Sequence, residues 1–201
     1  MRNSKTSKPS SVTAQTEKSV YGLLHHSFAE MFRLAQINHD ITFKEIKPEY
    51  IDQHNLKSIM FTVSSSNFRI VILLHFLPKA ELASQHNECL NIDVSSNEQR
   101  YHDYVCELGN NFCGVICRVL GSAGFSTGMS TPNILANARS ILNMQSVGMD
   151  FETHIGAFSG SLPILCASCC LFVNKGLNID LNIPIPNVVN AQEALGELEF
   201  F

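Results

Sequence analysis

The sequence predicts an α+β layered fold in which two long helices pack on an antiparallel or mixed sheet. Three observations carry that prediction. Apolar residues recur at helical spacing over 20–35 and again over 101–120. Between and after these stretches lie short runs of alternating or continuously apolar residues, the mark of strands. Finally, 201 residues with 45% hydrophobic and 16% charged side chains suffice for one domain with a filled core.

In chain order, residues 1–16 are rich in Ser, Thr and Lys and are expected to form a disordered tail. The domain is expected over 17–180. Val20, Leu23, Leu24, Phe28, Met31, Phe32 and Ala35 line one face of a first helix over 17–38, punctuated by Asn38-His39-Asp40. Residues 41–48 alternate like a strand. Two further strands, 56–66 and 67–77, form a hairpin turning near Ser65-Ser66-Asn67. The second of them is apolar on both faces, which predicts a central strand. Residues 79–89 read as a short helix. The long second helix follows, capped by Ser95 or Ser96 with Glu98 near its third position, and it ends in the Gly/Ser cluster 121–124. Two or three strands come next, with a turn at Gly160-Ser161. The segment 181–201 starts as an extended, Pro-containing stretch and ends amphipathic, as an extension that packs on the domain or mediates association. No internal repeat is legible.

Composition narrows the function. A formal charge of −4 with no basic block argues against nucleic acid as a partner. No apolar run reaches membrane-spanning length, and the first residues lack a signal-peptide core, so a cytoplasmic protein is expected. The seven cysteines sit mostly in apolar runs. They read as small buried hydrophobes, with metal or redox use as the minor alternative. Cys166 and Cys169 would point to opposite faces of a strand. His25 and His26 diverge around a helix, and His75 reads as a hydrogen-bonded core histidine. Ser126, Ser130 and Ser159 lack a nucleophile elbow. The glycine-rich stretch 121–128 follows a helix and lacks Gly-Lys-Ser/Thr, which excludes a P-loop.

The stretch 101–120, YHDYVCELGNNFCGVICRVL, carries the chemistry. Glu107 and Asn110 stand three apart, on one face of the helix. An ionised carboxylate only accepts hydrogen bonds, whereas a carboxamide both donates and accepts. That pairing suits docking onto a cation beside a water held in line for attack, and not acid–base work by two carboxylates. The spacing is unselective. Twelve Glu and seventeen Asn in 201 residues give about one Glu-x-x-Asn by chance, and there are two, the other being Glu88 to Asn91. The flanks of Glu107 decide between them. Asp103 lies one turn before and Gly114 one turn after the pair. Gly109 and Gly114 each cost a helix about 1 kcal/mol against alanine, which marks places of close approach.

This pattern, Asp103-x-x-x-Glu107-x-x-Asn110-x-x-x-Gly114 in a long helix, is followed by a Ser-Thr-Pro-hydrophobic element at 130–135 and paired strands. It resembles the CheX branch of the CheC/CheX/FliY family, bacterial chemotaxis phosphatases that dephosphorylate the response regulator CheY. The resemblance covers roughly 17–180. It implies a CheC-like layered fold and an aspartyl phosphate on a CheY-type receiver domain as substrate. It further implies that Asn110 orients the attacking water and that Glu107 pairs with the receiver's active-site lysine. Asp103 would form part of the rim, Gly109 and Gly114 would leave room for the partner's loops, and Asn111 would complete the partner-binding set. The Mg²⁺ is expected in the receiver, so this chain needs no metal or cofactor of its own. CheC members carry a second Glu-x-x-Asn, but the first helix here offers Glu30 followed by Arg33, giving one site per chain. CheX-like members pair, which implies a homodimer. The rival reading is a catalytically silent binding or adaptor protein of a flagellar-switch or signalling assembly. Side-chain direction discriminates: exposure of Glu107 and Asn110 on one face keeps the docking reading, and burial of either favours the adaptor.

Overall fold

The computed structural model describes residues 12–37, 40–54, 56–82, 89–90, 97–135, 148–174, 177 and 180–185. Helix α1 (Ala14–Leu34) begins at Thr13, whose hydroxyl accepts a hydrogen bond from the Thr16 N–H and so satisfies a free helix donor. Helical order therefore starts three residues before the expected boundary at 17, and Thr16 is buried. Its Oγ1 accepts from the Leu181 N–H at 2.9 Å, and Leu181 and Ile183 are buried. The start of the C-terminal extension thus packs on the domain along α1. Residues 1–11 and 186–201 lie outside the described residues.

Seven strands form a single sheet among the described residues: β1 (Ile41–Glu45), β2 (Lys57–Ser64), β3 (Phe68–Phe76), β4 (Gly128–Met129), β5 (Asn133–Leu135), β6 (Phe151–Ser159) and β7 (Leu162–Val173). The order is β1-β6-β7-β3-β2-β4, with β5 also on β2, and every ladder is antiparallel. The hairpins β2–β3 and β6–β7 form as the turn residues predict, and β3 is central, as its two apolar faces require. Two short elements differ from expectation. Helix α2 (Pro48–Gln53) follows β1, its Pro at the first helical position where no N–H is needed. Residues 79–81 make a single 3₁₀ turn rather than the start of a longer helix, and 83–88 lie outside the described residues.

The order reveals a repeat that the sequence hides. Helix α1 precedes β1, β2 and β3, and helix α3 (Glu98–Ser122) precedes β5, β6 and β7. The central β3–β7 ladder joins the two halves. Each half lends its first strand to the other: β1 pairs with β6, and β5 with β2. The helices are exchanged too, α1 lying over β6 and β7 and α3 over β2 and β3.

Alternate residues of each strand divide between the sheet's faces. Phe68, Ile70, Ile72, Leu74 and Phe76 of β3 join one core with α1 and α3, where the rings of Phe28 and Phe112 lie 5.4 Å apart. The opposite face carries a buried polar row across four strands. Ser58 Oγ and His75 Nδ1, His75 Nε2 and Ser168 Oγ, and Ser168 Oγ and His154 Nδ1 each share a hydrogen bond of 2.7 Å. Burial drives the His75 pKa down to about 3, so its ring is neutral and carries one N–H. His75 is the hydrogen-bonded core histidine that its apolar strand suggested. The cysteines also behave as hydrophobes: Cys113, Cys166, Cys169 and Cys170 are buried, and burial pushes their thiols up, that of Cys166 to about 12. Cys169 faces the helices and Cys166 the opposite side.

Candidate functional site

The site is built on α3. Its first turn is fastened at several points. Asn97 is the N-cap, accepting the Arg100 N–H at 2.9 Å, so the cap falls after Ser95 and Ser96, which lie outside the described residues. Glu98 stands first in the helix, not third, and pairs with Lys57 of β2 at 3.0 Å. Tyr101 and Tyr104 donate to the carbonyls of Leu77 and Leu90. The buried side is formed by Tyr101, Val105, Leu108, Phe112, Ile116, Val119 and Leu120. At about 100° per residue, the generatrix opposite that stripe runs past Asp103, Glu107, Asn110 and Gly114.

Glu107 is exposed and Asn110 half-buried, about 60° apart around the helix and on its outward side. Neither side chain has a hydrogen bond or ion pair among the described residues, so both are available to a partner. Asp103, also exposed, accepts from the Gln99 side chain at 2.8 Å. Asn111 turns about 100° from Asn110 toward α1. There the next-turn Val115 lines a groove of about 340 Å³ with His26 and Glu30. Gly114 is half-buried with open space about it, and the nearest atom to a Cβ built there is Nη1 of Arg118, 3.7 Å away.

Gly109 corrects the sequence reading. It is buried, and a Cβ there would run into the ring of Phe61 from β2. The close approach that a mid-helix glycine announces is thus internal, helix on sheet, and Gly109 leaves no room for a partner's loop. The signal was present: Val105, Phe112 and Cys113 stand three or four residues away, on the buried stripe. Arg118 was missed altogether, although its spacing of four from Gly114 puts it on the same ridge.

Two polar groups outside the ridge are engaged internally. Glu30 of α1 is clasped by Arg33 through two hydrogen bonds of 2.6 and 2.7 Å, which hold its carboxyl below the usual range. Ser130 Oγ accepts from the Thr62 N–H at the sheet edge, a structural duty. No group of three potential metal ligands exists among the described residues, and no helix there is long and apolar enough to cross a membrane. The other Glu-x-x-Asn, Glu88 to Asn91, extends outside the described residues.

Two interlocked halves, with paired long helices over one antiparallel sheet, define the CheC/CheX-type fold. Among solved structures, a chain of the CheX–CheY–BeF3–Mg²⁺ complex from Borrelia burgdorferi superposes with a TM-score of 0.56 at 14% identity, covering 76% of this chain and 97% of that one. The chemotaxis protein CheX from Vibrio vulnificus gives 0.53 at 16% identity, over 80% of this chain and 99% of that one. A CheC-like superfamily protein from Shewanella sp. PV-4 gives 0.51 at 13%, over 80% and 99%. No protein-family model and no curated protein matches the sequence.

Proposed function

We propose that this chain is a CheX-like phosphatase that docks α3 onto a CheY-type receiver domain and speeds hydrolysis of its aspartyl phosphate. The observation that carries the reading is the outward ridge, where Glu107 and Asn110 stand together without a partner among the described residues, on a helix fixed to the sheet beneath. The CheX–CheY–BeF3–Mg²⁺ complex among the structures of similar fold supports the choice of partner.

An acyl phosphate is already reactive, so the catalyst's task is position. In the proposed step the Asn110 carboxamide holds a water in line with the scissile bond. The water oxygen bonds to phosphorus as the phosphorus–oxygen bond to the aspartate breaks, and the carboxylate leaves. The water's protons pass to phosphate and solvent, and no side chain of this chain is needed as a base. The Mg²⁺ belongs to the receiver. Glu107, an acceptor only, pairs with the receiver's lysine and sets the register that brings Asn110 to the phosphoryl group.

The test is loss of phosphate from a phosphorylated, Mg²⁺-loaded CheY-type receiver, with wild type beside Asn110→Ala and Glu107→Ala. Acceleration by wild type should fall about 100-fold in Asn110→Ala, the scale of a mispositioned reactant. Glu107→Ala should act chiefly through weaker binding. Binding by wild type without acceleration would refute the phosphatase and leave an adaptor on the same fold.

A further inference from the structure

The ridge continues beyond the Glu107/Asn110 pair to a cation that the motif does not include. Arg118 is exposed, and its side chain doubles back over Gly114, with Nη1 3.7 Å from the point a Cβ would occupy there. Long helical side chains lean toward the N-terminus, and a glycine one turn earlier lets the guanidinium lie low over the backbone. Arg118 itself is eight residues from Asn110, about 12 Å along the axis, but its charge is carried back to within about 6 Å. Arg118 also borders the groove between α1 and α3, with His26 and Glu30. No carboxylate lies within ion-pair distance of Arg118 among the described residues, and the nearest acid to feel it, Glu30, is already held by Arg33.

We infer that Arg118 is a specificity-determining docking residue that pairs with a carboxylate of the partner bordering the reaction centre. The inference rests on the proposed function above, since it takes the Glu107/Asn110 ridge as the docking surface. A carboxylate is favoured over the phosphoryl group itself by geometry. A phosphorus whose attacking water rests on the Asn110 amide stands outward from Asn110, whereas the guanidinium lies about one turn along, beside Gly114. Arg118 therefore meets the partner's surface beside the reaction centre. With Glu107 it gives the ridge a negative contact point and, about two turns on over Gly114, a positive one, a polarity that fixes which way the helix lies across the partner.

An interaction made equally in the ground and transition states changes KM and leaves kcat alone. The experiment is a titration of the full chain with a BeF3-loaded, Mg²⁺-containing CheY-type receiver, followed by turnover kinetics on the phosphorylated form. Wild type is compared with Arg118→Ala, Arg118→Lys and Arg118→Glu. Arg118→Ala should weaken binding and raise KM roughly 2- to 5-fold at low salt, as expected for an exposed ion pair. Arg118→Glu should weaken it further, Arg118→Lys should restore part of the loss, kcat should hold, and the differences should shrink at 1 M salt. Two results would overturn the inference while leaving the proposed function standing: Arg118→Ala and Arg118→Glu indistinguishable from wild type, or a fall in kcat at constant KM, which would put the guanidinium on the reacting group. Wild type that neither binds nor accelerates would remove the docking surface itself, and Arg118's role with it.

Discussion

Helices α1 and α3 occupy equivalent places, each lying over two strands of the opposite half, yet their carboxylates are held differently, Glu30 in the groove between the helices and Glu107 on the outward side of α3. On α1 the carboxylate of Glu30 is followed three residues later by Arg33, which grips it through two hydrogen bonds. On α3 the carboxylate of Glu107 is followed three residues later by Asn110, and neither side chain has a partner among the described residues. One residue decides the difference. Arginine at the third position neutralises its own neighbour, while asparagine adds a neutral group that both donates and accepts and leaves the carboxylate open. A second contrast runs parallel to the first. The buried polar groups behind the sheet, from Ser58 to His154, bond to one another, whereas those on the α3 ridge face solvent. Closed groups contribute to holding the fold, and open ones carry no such duty.

The largest effect should come from attacking a closed group. His75 titrates near 3 in the folded chain and near 6.5 unfolded, so the unfolded state binds more protons between those values. Its contribution is complete above pH 6.5 and is lost as pH falls toward 3, on the order of 4–5 kcal/mol in all. His154 is also lowered, by burial against the opposing pull of Glu152, Glu45 and Glu49, and adds in the same direction. Urea midpoints measured across this range should decline from pH 6.5 downward; a level profile to pH 5 would break the assignment. Next in size is conversion of the open ridge to the closed form. Asn110→Arg copies α1 onto α3, and phosphatase acceleration should drop about 100-fold with the melting temperature unmoved. Retained acceleration would show that the openness of Glu107 is irrelevant. The smallest effects separate two glycines of α3. Gly109→Ala gains helix propensity but drives a methyl into Phe61, for a net loss of about 1–2 kcal/mol in denaturant titrations. Gly114→Ala meets only ordinary contact and should gain about 0.5–1 kcal/mol. Equal signs at the two positions would contradict the division of α3 into an inner and an outer face.

Much of this was legible where contacts are local. The apolar spacing of α1 and α3 and the β2–β3 and β6–β7 turns depend on near neighbours, and they appear within a residue or a few of their expected bounds. Pro48 with Glu49 offered a helix start that the strand-like alternation before it obscured. Pairings such as Ile41 with Ser159 join residues more than a hundred apart, so the exchange of edge strands left no trace in any window of sequence. The Ser–His row was hidden for the same reason, because it draws on four strands at once. At the site, helical spacing placed Glu107 and Asn110 on one face, and the same arithmetic would have turned Gly109 inward and brought Arg118 onto the ridge.

The exchange of elements between halves has a consequence for how the ridge behaves. Phe61 belongs to the first half, Gly109 to the second, and the fit of one beneath the other sets the height at which α3 rides above the sheet. A helix resting on its own hairpin can lift or tilt as a local event. A helix seated on strands from the other end of the chain, over a sheet whose edges are likewise traded, loosens only when both halves come apart. The outward face of α3 is therefore all-or-none: in place when the domain is folded, and not supplied by one half alone.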